Sequence, residues 1–162
     1  MLEYCSAEIS ELAKALIAVQ RELLPAARDG TNPFTRSNYA TLNSVMEACR
    51  DVLLAHGIWM TQLPVPAPVE LGPGHIGLLT KLTHAESGQW QSSLAVVPLP
   101  KADPQGMGSA ITYARRYALT AMLGIITEED DDGEAAKMQP KTSGRVKQPR
   151  NGAQVQKGFQ DR

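Results

Sequence analysis

Residues 58–97 hold three extended runs separated by turn chemistry, with helical periodicity on both sides, which leaves few folds open. The runs span residues 58–63, 75–84 and 89–97 and are rich in Ile, Leu, Val, Trp and Thr, the residues that fit a pleated surface. Between the last two, Glu86-Ser87-Gly88 reads as a tight hairpin turn. Between the first two lies PVPAPVELGPG, residues 64–74, whose prolines cannot donate to a sheet ladder and so predict a long connection. The middle of the chain is therefore expected to be an antiparallel meander.

Upstream, Ile9, Leu12, Ala13, Leu16, Val19 and Leu23 recur at helical spacing, and Pro25 followed by Gly30 closes a helix predicted over residues 6–24. A polar loop containing Asn32-Pro33 leads to Tyr39. A second helical period then runs through Leu42, Val45, Met46, Cys49, Val52 and Leu53, with Thr41 as N-cap and Gly57 as the left-handed residue after its end. Downstream, Asp103-Pro104 opens a third helix, since proline at the first helical position loses no hydrogen bond, and the period carries it to about Leu123. Helices flanking an antiparallel meander define an α+β class.

The formal net charge of -1 over 162 residues conceals strong segregation. The last stretch, from Lys137, carries seven Lys or Arg against Asp161 alone, and it follows an acidic run of Glu128, Glu129, Asp130, Asp131, Asp132 and Glu134. Beyond Gly133, apolar residues are sparse, so burial cannot offset the loss of chain entropy. The expected organisation is one domain over residues 1–132 and a disordered basic tail over 133–162. Cys5 and Cys49 show no metal or disulfide spacing. The first residues lack the basic start and apolar stretch of a signal peptide, and no run approaches the roughly 20 apolar residues of a membrane span. The chain is accordingly expected in the cytoplasm.

The most informative string is GSAITYARRYALTAMLGI, residues 108–125. On a helix Tyr113, Arg116, Tyr117 and Thr120 share one face, with Arg115 about 100° around from Arg116. Gly108, Ala110, Ala114, Ala118 and Ala121 would let the helix lie close to a sheet. Guanidinium groups bind phosphates bidentately, and tyrosine rings can stack on unpaired bases. The same pattern also fits tyrosines packed at a core edge and arginines paired with surface carboxylates. Chemistry alone leaves both readings open.

The string Gly108-Ser-Ala-Ile-Thr-Tyr-Ala-Arg-Arg-Tyr-Ala-Leu, with a later Leu-Gly and an Asp-rich stretch ending in Gly, resembles the signature of the Erf family of phage single-strand annealing proteins. Asn32-Pro33-Phe34, Tyr39-Ala40, Leu42, Val45 and His56-Gly57 resemble the family's segment leading into and through its second helix. The resemblance implies a β-β-β-α core with flanking helices, a homo-oligomeric ring, binding of single-stranded DNA and annealing of complementary strands without ATP. Arg115 and Arg116 fall at the family's basic pair, flanked by Tyr113 and Tyr117. Lys81 and Arg36 are added as candidate contacts outside the motif matches. Partners compatible with such a role, besides single-stranded DNA, are an exonuclease or a host single-strand-binding protein, in a bacterial host's cytoplasm.

No G-x-x-x-x-G-K-[ST] loop and no H-E-x-x-H pair occurs, and His56, His75 and His84 lack ligand spacing, so neither a nucleotide cofactor nor a metal is expected. Two rivals remain. The acidic run could serve a metal-dependent nuclease through Asp130 to Asp132, although consecutive carboxylates diverge and rarely converge on one ion. Alternatively the domain could be a non-enzymatic adaptor that recruits replication proteins.

Overall fold

The computed structural model describes residues 3–34 and 36–127. The acidic run, the basic tail and the proposed boundary at residue 132 lie outside the described residues. Element order is α1 (Ser10–Glu22), β1 (Gly30–Thr31), β2 (Asn38–Tyr39), α2 (Leu42–Ala55), β3 (Ile58–Pro66), a 3-10 turn (Val69–Leu71), β4 (His75–His84), β5 (Trp90–Pro98) and α3 (Pro104–Leu123). The fold is α+β: an antiparallel sheet of order β3-β4-β5 and a separate two-strand hairpin of β1 and β2.

Local chemistry sets most boundaries. The Thr41 hydroxyl accepts the Ser44 N–H to cap α2, and Asp103 accepts the Gly106 N–H to cap α3. Gly57 and Gly124 follow the ends of α2 and α3 with φ of 65° and 71°, where a Cβ would clash with the backbone. Three boundaries differ from the periodicity. Helix α1 starts at Ser10 because residues 4–6 instead pair with β5: Ser6 N–H donates to Trp90 O and Ser92 N–H to Tyr4 O. The orphan amides of Glu11 and Leu12 find the Gln89 side chain, 2.8 and 3.1 Å away, in place of a local cap. Strand β3 runs through Pro64 and Pro66, which oppose Leu78 and Ile76. Both prolines share one parity on an edge strand, where alternate N–H groups face away from β4 and need no ladder partner. The third difference is the β1–β2 hairpin inside the expected polar loop.

The sheet register divides its two faces. Leu78 packs with Ala114 and Ala118 of α3, and Ile58 and Leu82 join Leu12, Val19, Val45, Cys49, Leu53, Leu119 and Leu123 in the main core. All three helices therefore cover the face bearing Ile58, Leu78 and Leu82. The alternating residues Trp59, Leu63, Leu79 and Lys81 stand on the other face, where Trp59 and Leu63 are more than half exposed. Small side chains at Ala110, Ala114 and Ala118 bring α3 down onto the sheet, and this turns its tyrosine-bearing side outward.

Candidate nucleic-acid interface

Helix α3 presents Tyr113 and Tyr117 as an exposed pair with ring centroids 4.3 Å apart and planes tilted by 33°. Arg116 lies between these rings and a third from β2. Its guanidinium carbon is 4.7 Å from the centroid of Tyr39, 4.8 Å from Tyr117 and 5.7 Å from Tyr113, all within reach of a cation–π attraction. One Nη donates to the carbonyl of buried Ala40 at 2.9 Å. The two stretches that carry the family resemblance, Tyr39-Ala40 and the α3 string, thus meet at one guanidinium. Gly30 makes that meeting possible: a Cβ there would lie 2.6 Å from the Tyr39 ring.

Arg115 points to the other side of α3. Its Nε donates to Gln62 Oε1 at 3.1 Å, while the Gln62 amide donates to Thr80 Oγ1 at 3.1 Å and to the Arg115 carbonyl at 3.0 Å. Arg115 also lines a small recess shared with Met46, Glu47 and Arg50. The hydrogen-bond partners of both arginines are neutral, an amide and a carbonyl, rather than the carboxylates that a purely structural pairing would use. Among the described residues no carboxylate forms a salt bridge with either cation.

The four other predicted residues separate into two groups. Tyr113 and Tyr117 join Arg116 in one cluster. Lys81 does not: it stands on the sheet face away from α3, with its ammonium 4.2 Å above the Trp90 ring. Arg36 occupies the turn of the hairpin that carries Tyr39, with φ of 57° and its N–H bonded to Asn32 O. Periodicity missed Tyr39 and Gln62, which fix the two arginines. The signal for Tyr39 was its place in the second motif stretch; Gln62 carried none.

An open groove of about 710 Å³ runs beside this cluster, between the start of α2 and the first half of α3. Tyr39 and Asn43 line one wall, and Gln105, Gly108, Thr112 and Tyr113 the other. At the amino end of α2 the Asp29 carboxylate accepts the Thr41 N–H at 3.0 Å and its hydroxyl at 2.9 Å. Hydrogen bonds from the Ser44 hydroxyl and from Thr41 lower its pKa from 3.8 to about 2. Among the described residues no group of three or more His, Cys, Asp or Glu is placed to hold a metal ion. No helix among them is long and apolar enough to cross a membrane.

No curated protein and no solved structure matches the chain. The model of the ERF superfamily matches residues 12–160, a span that begins in the first turn of α1 and takes in both sheets, α2 and α3. That match covers both motif stretches that meet at Arg116, and the chain belongs to the ERF superfamily.

Proposed function

We propose that the chain binds single-stranded DNA along the outward side of α3 and anneals complementary strands without ATP, in recombination. The observation that carries this reading is the exposed Tyr113–Tyr117 pair with Arg116 among its rings, held by a neutral carbonyl. Single strands are held sequence-tolerantly by such pairings, because every base has a π-face and every nucleotide a phosphate. Membership of the ERF superfamily supports a role of the annealing type in general. In this mechanism no covalent bond changes. Base pairing drives the reaction, and the protein screens the repulsion between strands and removes their internal structure. Neither nucleotide nor metal takes part, and the protein is not an enzyme.

The annealing unit is proposed to be residues 1–132, assembled side by side into a homo-oligomeric ring so that successive α3 helices line one track. One subunit offers too short a surface to align two strands. Among the described residues β3 is an edge strand with Trp59 and Leu63 exposed on it, which supports assembly, since a strand edge and apolar side chains both favour a neighbouring chain. Arg36 and Lys81 are retained as outlying contacts. Fluorescence anisotropy with a labelled oligonucleotide at low salt, run alongside light scattering, tests the reading. Binding by a large homo-oligomer is expected. A monomer that ignores oligonucleotide while capturing a replication protein would replace the proposal with the adaptor.

A further inference from the structure

The groove between α2 and α3 differs chemically from a phosphate clamp. Among its described lining residues Arg116 is the one cation, and the others named above are neutral: two tyrosines, two carboxamides, a hydroxyl and a glycine. A phosphate track calls for several cations or unoccupied amides. The nearest natural anion site, the amino end of α2, already holds the ionised Asp29 carboxylate on Thr41. A phosphate arriving there would meet a fixed like charge.

What the groove does offer matches a heteroaromatic ring. Tyr113 is half exposed and supplies a face for stacking, while Asn43 and Gln105 carry both donors and acceptors for a mixed base edge. Its volume lies within the roughly 300–1,000 Å³ usual for small-molecule sites. Gly108 adds an independent observation. It sits inside α3, where alanine is the better helix former, yet a Cβ built there would meet nothing within 4 Å. Packing within the chain does not call for glycine at this point, and the bare backbone leaves room for a flat group to lie against the helix.

We infer that the groove receives one nucleobase of the bound strand, stacked on Tyr113 and lying over Gly108, with its edge toward Asn43 and Gln105. This rests on the single-strand reading of the same face. Each subunit would then anchor one base while adjacent bases stay available for pairing, so annealing proceeds from the unanchored positions.

The test compares oligothymidine with an abasic oligomer of equal length, which keeps every phosphate and removes every base, by anisotropy with the full chain. Oligothymidine is expected to bind roughly tenfold or more tightly, the gain typical of stacking even one base per site. Gly108→Leu, which fills the groove with a good helix former, should lower oligothymidine affinity toward the abasic level and leave abasic affinity unchanged. Tyr113→Leu removes the ring and should weaken oligothymidine binding by more than abasic binding, and it guards against misfolding of the first variant. Equal affinity for the two oligomers overturns the base site while leaving single-strand binding intact. Equal weakening of both oligomers by either folded variant also overturns it. Failure of the unaltered chain to bind either oligomer removes the single-strand reading and the base site together.

Discussion

Replacing Arg116 by Ala separates the two duties this residue combines. The Ala40 carbonyl belongs to a residue only 1% exposed and accepts the Arg116 Nη at 2.9 Å, so removing the donor leaves a buried acceptor short of a partner, at a cost of about 1–3 kcal/mol. The ring interactions with Tyr39 and Tyr117, at 4.7 and 4.8 Å, add about 0.5–1 kcal/mol for a partly exposed cation. Together the change is expected to destabilise the domain by ~1.5–4 kcal/mol. At about 4 °C per kcal/mol for a domain of this size, the melting temperature should fall by roughly 6–16 °C. The Tyr39 hairpin should loosen from α3 first, because Arg116 spans the two. Urea denaturation followed by circular dichroism measures the stability, and the fluorescence of a labelled oligonucleotide measures binding by the fraction that remains folded. Arg116→Lys should fall between, since an ammonium restores the charge but cannot lie flat among three rings. A variant Arg116→Ala whose stability stays within about 1 kcal/mol of the unaltered chain would refute the bridging role.

Arg115→Ala should cost only about 0.5–1.5 kcal/mol, because Gln62 keeps Thr80 and the Arg115 backbone as partners. Its signature is in binding: the log-log salt slope should become less negative by roughly 0.7 for each phosphate that the variant no longer grips, and an unchanged slope would remove Arg115 from the track. Asp29→Ala should lower the melting temperature at neutral pH. Because the folded pKa of Asp29 is depressed to about 2 from 3.8, its contribution is present above 3.8 and fades as the pH falls through about 2. The two melting curves should therefore converge at that acidic end; a constant difference would mean the carboxylate's charge is not what matters. Deleting residues 135–162, which carry seven basic residues and little apolar sequence, should leave the melting temperature in place and make the salt dependence of binding shallower. Unfolding of the shortened chain would refute the proposed boundary.

Elements with strong local grammar were legible from residues alone. Asp103-Pro104 opens α3 at its observed start and the helical period carries it to its observed end at Leu123, and β4 spans the expected residues because its alternation places Leu78 and Leu82 on a buried face. The same alternation puts Lys81 on the opposite face, a parity that charge alone conceals. What periodicity could not supply depends on partners distant in sequence. The strands β1 and β2 are two residues each, too short for any period, and they exist because Gly30 accommodates the Tyr39 ring. The start of α1 is set by a glutamine far along the chain, Gln89. At the site, helical spacing brings Tyr113, Arg116 and Tyr117 together, but the carbonyl and third ring that hold Arg116 come from β2 and its flank. Pairing the arginines with carboxylates meets the right need for an anchor with the wrong chemistry, since an amide and a carbonyl serve instead.

The central claim, passive annealing of single strands, is tested most directly by mixing complementary labelled oligonucleotides with the full chain in excess EDTA and without nucleotide, and following quenching as duplex forms. The account predicts acceleration over the spontaneous rate that is the same with and without EDTA or ATP, with strands recovered at full length. Acceleration that vanishes in EDTA and returns with Mg²⁺, or strands that emerge shortened, would contradict it.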